Sequence, residues 1–286
     1  MTYWPAIDPL TGDVWVSSSD ESRLWVFKPD GTFVREFGSQ GSGPGQFRLM
    51  TNDPSPDPVG AIAFAPDGTL FVADDGNYRI DEFDPKGTFV RSWGSFGTDD
   101  DQFISPKGIA TDGKLVYVGD DSGTDGCCLK VFDVEGHSVR SIQNSAAGVY
   151  FSLAPSGQII SAGTDDSGTG VVDLMDATGD VVASHPIDVS SYFLPSLHSL
   201  PPTSEFGWGA ADAVEDRSGR IFVSLADDKD PMVGLLELDK QGTVIREWPS
   251  GGGLMALAPD GSAIYTAAGG SPVYWPFLAK YALPKS

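Results

Sequence analysis

Carboxylates dominate the chemistry available to this sequence, and many come in adjacent pairs. Asp20-Glu21, Asp74-Asp75, Asp120-Asp121, Asp165-Asp166 and Asp227-Asp228 recur along the chain. Paired carboxylates can hold a hard cation such as Ca2+, which takes several oxygen ligands. They can also form an anionic rim that attracts a basic partner. A third use is local: an Asp side chain accepts a hydrogen bond from its own backbone and caps a turn. That use explains one Asp per turn better than two. Asp121-Ser122-Gly123-Thr124-Asp125-Gly126 carries only a fragment of a calcium-loop pattern. Asp212 stands apart, inside the apolar run Gly209-Ala210-Ala211-Asp212-Ala213-Val214. A buried carboxylate there needs a cation, a network of donors or a raised pKa. Asp8, Glu215 and Asp216 are its candidate companions, and the metal expectation is Ca2+ held by Asp212 and Asp8.

Other chemistry is sparse. The sequence has no Gly-x-Ser-x-Gly elbow, no His-Glu-x-x-His and no phosphate-binding loop. Its three histidines, His137, His185 and His198, are dispersed. His185 stands where related segments carry Trp93 and Trp248, which points to packing. The two cysteines, Cys127 and Cys128, are adjacent, so they make neither a disulfide framework nor a spaced zinc site. Trp4, Trp208 and Trp275 lie outside the regular aromatic positions and could form a stacking platform for a sugar or an organic cation.

These residues are carried on a repeat. Ala65-Pro66-Asp67-Gly68-Thr69-Leu70-Phe71-Val72 has counterparts whose glycines are Gly12, Gly113, Gly157, Gly219 and Gly261. A second turn keeps step with it, closing at Gly31, Gly87, Gly136, Gly179 and Gly242. β-rich runs flank each turn, giving four short strands in a unit of roughly 44 residues. With 35 Gly and 21 Pro in 286 residues, turn chemistry is abundant and long helices are disfavoured. Six such units predict an all-β, six-bladed β-propeller with four-stranded antiparallel blades. The blades fall near 1–40, 60–94, 107–142, 148–185, 209–248 and 252–286, in one domain. The sixth unit shows three strands and no clear fourth.

Label the strands a to d from the axis outward. The glycine turns join a to b and c to d on one face, the turn face. The b–c and d–a connections share the opposite, top face. Long insertions at 48–60 and 186–208 are d–a connections, and the acidic pairs are b–c connections. The expected ligand surface is therefore on top: Trp4, Asp74, Asp75, Asp120, Asp121, Asp165, Asp166, His198, Trp208, Asp227, Asp228 and Trp275.

Two stretches resemble the NHL repeat: Gly94-Ser95-Phe96-Gly97 through Asp101-Gln102-Phe103 to Val116-Tyr117-Val118, and Val72-Ala73-Asp74-Asp75-Gly76-Asn77-Tyr78-Arg79-Ile80 with Phe83-Asp84. The likeness is good in blades 1 to 3 and weaker in blades 4 to 6. It implies the propeller fold, and a family whose members include protein-binding modules, RNA-binding modules, extracellular sensors and a few enzymes. The dispersed histidines do not suggest the zinc site of amidating lyases that use this fold.

Forty acids against 18 bases give a net charge of −22. That field repels phosphate backbones and anionic membrane surfaces, which argues against nucleic-acid partners. No apolar run has the length of a membrane span. The N-terminus lacks the pattern of a signal peptide; an extracytoplasmic location is still the one expected. The leading expectation is a binding or sensor propeller whose top face takes a protein, peptide or small molecule, cationic in character. The alternative is a Ca2+-dependent hydrolase of the gluconolactonase kind, with its site at the top of the central channel.

Overall fold

The computed structural model describes residues 3–49, 60–121, 127–142, 149–164, 170–187, 209–226, 234–248, 253–268 and 277–283. Five antiparallel meanders of four strands and a sixth of three are arranged about a common axis. Blade 1 comprises Tyr3–Ile7, Val14–Ser18, Arg23–Phe27 and Phe33–Phe37, and blade 2 comprises Ile62–Phe64, Leu70–Asp74, Arg79–Phe83 and Phe89–Trp93. Blade 3 holds Pro106–Thr111, Leu115–Asp121, Cys127–Asp133 and Ser138–Ile142, and blade 4 holds Phe151–Leu153, Ile159–Thr164, Gly170–Met175 and Val181–Pro186. Blade 5 is built from Gly209–Glu215, Ile221–Ala226, Gly234–Leu238 and Val244–Trp248, and blade 6 from Leu254–Leu257, Ala263–Ala268 and Phe277–Ala282. The innermost strands touch in sequence around the axis, and Tyr3–Ile7 closes the ring against Leu254–Leu257. No α-helix occurs among the described residues; a single 3-10 turn spans Asp75–Asn77.

The repeating turns form for the reasons their residues suggest. At Gly68 the backbone has φ of +89°, a conformation that costs a glycine nothing. Just before it, Asp67 Oδ1 accepts the Thr69 amide at 2.9 Å and fixes the turn. Asp112 and Asp260 do the same in blades 3 and 6, and Asp30, Asp84, Asp176 and Asp239 in the c–d turns. Much of the acidity is thus turn capping, but on the turn face.

Burial follows the layers. Strand b is fully buried in blades 1 and 2, at Val14–Ser18 and Leu70–Asp74, whereas strand d of blade 1, Phe33–Phe37, lies mostly exposed. Neighbouring blades interlock at the outer rim through one recurring contact. In blades 1 to 4 the fifth residue of the d strand lies over the c–d turn glycine of the next blade. A Cβ placed on Gly87, Gly136, Gly179 or Gly242 would come within 2.9 Å of Phe37, 2.7 Å of Trp93, 2.9 Å of Ile142 and 2.7 Å of His185, respectively. His185 is therefore a packing residue, as its place in the repeat indicates.

The d–a connections into blades 2 and 3 fold as matching latches, a feature the repeat alone does not show. Ser39–Gln40 pairs in parallel with Gln46–Phe47, and Phe96 bridges Phe103 in the same sense. Phe47 and Phe103 are completely buried. Their rings press on Gly38 and Gly94, where a Cβ would meet them at 2.2 and 2.5 Å.

Candidate functional site

The inner strands of all six blades surround a central cavity of about 990 Å3. Its walls are mainly apolar and include Ile62, Phe64, Ile109, Phe151, Val214 and Met255. Small residues such as Ala6, Ala63 and Ala110 face the axis and leave the volume open. Toward the turn face the lining becomes polar, with Asp216, Arg217, Ser218 and Arg220 from blade 5 and Asp260 and Ser262 from blade 6. Toward the top lies Trp4, whose ring meets that of Tyr150 with centroids 5.9 Å apart and planes tilted by 43°. Trp4 belongs to blade 1 and Tyr150 directly precedes blade 4, on the far side of the ring. Trp4 is buried in the core and is not an exposed platform on the top face.

Asp212 lines this cavity and is itself buried. A register shift between Ala210 and Asp212 turns the strand at this point. Oδ1 accepts the Ala213 amide at 2.8 Å, and Oδ2 accepts the Met255 amide of blade 6 at 2.7 Å. Burial pushes the carboxyl up to about 7, against the pull of those two donors. Of the three remedies open to a buried carboxylate, donors and a raised pKa are both present. Asp8 is engaged elsewhere: it accepts the Leu10 amide at 2.9 Å and the Thr11 hydroxyl at 2.8 Å within its own turn. Among the described residues no three His, Cys, Asp or Glu side chains converge as a metal set.

At the mouth, Arg220 binds Asp216 Oδ2 through Nε at 2.7 Å and reaches Glu237 at 3.3 Å. Burial works to raise Asp216, but donors from Ser218 and Arg220 outweigh it and hold the group below the usual carboxylate range. Glu215 is pushed up by burial and by the Asp216 charge. Arg217 is exposed at the rim. Asp212, Glu215 and Asp216 are recognisable from the sequence, whereas Arg217, Arg220 and Met255 join them only in the fold. The available signal was the turn Asp216-Arg217-Ser218-Gly219-Arg220, which carries two arginines where the other a–b turns carry at most one basic residue.

The acidic pairs of blades 2 and 3 serve the fold. Asp74 is wholly buried; it accepts the Arg48 amide at 2.6 Å, Asn77 Nδ2 at 2.7 Å and Arg79 Nε at 3.0 Å. Asp120 accepts the amides of Ile104 and Ser105 at 2.9 and 2.8 Å and pairs with Lys130 at 3.1 Å. Each first Asp therefore ties the incoming d–a latch to its own hairpin. Asp75, pushed up to about 7 by burial, accepts the Ser105 hydroxyl, and Asp121 pairs with Lys107 at 2.7 Å. In place of the open anionic rim that the sequence suggests, Asp74, Asp75 and Asp120 are buried anchors, and Asp121 is half-buried in its ion pair. The reason is that the latch amides need acceptors once water is excluded. In blade 1 the pair does remain exposed, at Asp20 and Glu21. Asp165, Asp166, His198, Trp208, Asp227, Asp228 and Trp275 lie outside the described residues. Cys127 and Cys128 open strand c of blade 3.

No family model matches the chain. A stretch of 92 residues, 30% of this chain, is 36% identical to peptidyl-glycine alpha-amidating monooxygenase B of Xenopus laevis and spans only 10% of that protein. Among solved structures, a gluconolactonase from Xanthomonas campestris, XC5397, superposes with a TM-score of 0.64 over 99% of this chain and 87% of its own, at 13% identity. Virginiamycin B lyase from Staphylococcus aureus superposes with a TM-score of 0.52 over 99% of this chain and 85% of its own, at 14% identity. At such identities the likeness establishes the fold. The class defined is the six-bladed β-propeller, with neighbours that include a gluconolactonase and a virginiamycin B lyase.

Proposed function

We propose that this protein is a binding or sensor propeller that takes a small, largely apolar molecule with one polar end in its central channel, entered from the turn face. The cavity carries this reading: about 990 Å3, apolar along its walls and polar at one end. That size and lining suit small-molecule sites in general. The engagement of Asp74, Asp75, Asp120 and Asp121 in anchoring contacts also supports a site in the channel over one on the acidic top face. A thermal-shift screen of small carboxylic acids, amines, lactones and aromatic alcohols tests it. Ligands should raise the melting temperature of the wild type, with about 2.7 kcal/mol of stabilisation at a hundredfold excess over Kd. Ala63→Phe, which fills the channel, should remove the response. Hits that ignore this substitution would place the site elsewhere.

A second reading, a hydrolase acting in the same channel, draws on Asp212. A carboxyl pushed up to about 7 can exchange a proton near neutral pH, and the gluconolactonase neighbour shares the fold. A lactone and ester panel, with and without chelator, separates the two readings. Turnover that Asp212→Asn removes would favour the hydrolase.

A further inference from the structure

One position in the channel departs from the pattern of the other blades. Strand a ends on Ile7, Phe64, Thr111, Leu153 and Leu257 in blades 1 to 4 and 6, and on Glu215 in blade 5. All of these but Thr111 and Glu215 are apolar, and the Thr111 hydroxyl donates to the Leu115 carbonyl at 2.7 Å. Glu215 is therefore a single carboxylate in a belt that is otherwise uncharged. It lines the cavity together with Phe64, Thr111, Leu153 and Leu257. A Cβ placed on Gly219 would stand 3.7 Å from Glu215 Oε1, so the carboxylate lies against the a–b turn of blade 5, at the turn-face mouth. All six a–b turns around that mouth belong to the described residues.

Glu215 is half-buried, and among the described residues it has no hydrogen bond or ion pair. The Arg220 guanidinium on the same hairpin is committed to Asp216 and Glu237. Burial and the Asp216 charge both work against the ionised form of Glu215. A cation arriving at the mouth would offset both effects, whereas an anion would add to the repulsion. The other carboxylates of the lining are already served: Asp212 accepts two amides, and Asp260 accepts the Ser262 amide at 2.9 Å within its turn. The net charge of −22 draws cations toward the molecule from longer range. We propose that the polar end of the channel ligand is a protonated amine received by the Glu215 carboxylate, with its apolar body lying along Ile109, Phe151 and Met255. This assignment rests on the channel as the binding site and names the chemical class that the site takes. An ammonium gives Glu215 a charge-assisted hydrogen bond in a partly water-excluded setting, which a neutral hydroxyl of the same shape does not match.

Three probes that share one apolar body separate the classes: 4-phenylbutylamine, 4-phenylbutanol and 4-phenylbutanoate, titrated into the full chain by calorimetry near neutral pH and at low salt. The amine should bind saturably and roughly tenfold or more tighter than the alcohol, with the acid weakest. Glu215→Gln should remove most of that preference and bring the amine within about threefold of the alcohol. Asp20→Asn, which removes one exposed charge from the top face, should leave the preference intact; its loss there too would make the preference a property of the overall charge and overturn the proposal. Ala63→Phe should abolish binding of every probe. Amine and alcohol binding equally in the channel, or the acid binding best, overturns the amine assignment while the channel site stands. Absence of binding by all three at millimolar concentration, or binding that Ala63→Phe leaves intact, overturns the channel site and the amine assignment with it.

Discussion

Asp212 shows how much one buried carboxyl must be given before the fold tolerates it. Two backbone amides point at its oxygens, and burial still keeps its pKa near 7. The unfolded chain ionises this group near its ordinary value of 3.8, so the folded form holds the extra proton between about pH 4 and pH 7. Its contribution to stability is full below that window and is lost as pH rises through it. Asp212→Asn turns an amide donor toward the amide of Ala213 or Met255 and should cost about 1–3 kcal/mol. The deficit relative to wild type should shrink as pH rises from 4 to 8, because only the wild type titrates. Urea unfolding at several pH values measures both effects. A deficit that grows with pH would mean that Asp212 is ionised and favourable in the fold. The need for donors at Asp212 was legible, because an Asp inside an alanine-rich strand has no other way to be buried. The roles of Asp74 and Asp120 were not. Their donors, Arg48 and the amides of Ile104 and Ser105, sit in connections many residues earlier, and nothing local to the acidic pair announces them.

Strands and turns were the most legible elements, since Gly at positive φ, in most cases with an Asp that accepts the amide two residues on, marks the a–b and c–d turns. The latches were not, because a Gly-rich connection with one buried phenylalanine has no period of its own. Their importance appears in the contrast between look-alike acids. Asp120→Ala strips acceptors from two amides and the counter-charge from buried Lys130, and should cost about 3–5 kcal/mol. Asp20→Ala, from the equivalent but exposed pair of blade 1, should stay within about 0.5 kcal/mol of wild type. Denaturant midpoints of the two variants check the contrast, and similar costs would contradict the latch account. Phe103→Ala removes the buried ring that locks the second latch and should cost about 3–5 kcal/mol.

For the molecule as a whole, charge and shape point in different directions. A net charge of −22 on 286 residues places like charges in mutual repulsion, so stability should rise as salt is added from low to physiological ionic strength. Binding of a basic partner should weaken over the same range. A melting temperature indifferent to salt would mean that the surface charges are already compensated. Six blades, with three strands in the sixth, were readable from the spacing of the turns and the β-rich runs between them. The channel was less so: its volume comes from the small residues that face the axis, and sequence spacing does not say how far apart six inner strands will stand.

The proposed ligand site is this channel and not the acidic top face. Methyl NMR on protein labelled at Ile and Met tests it most directly, by titrating a stabilising ligand from the screen. Saturable shifts are expected at Ile62, Ile109 and Met255, which line the cavity, and none at Ile80, buried within blade 2 away from its lining. A ligand that leaves the three channel residues unmoved while broadening or shifting signals elsewhere would contradict it.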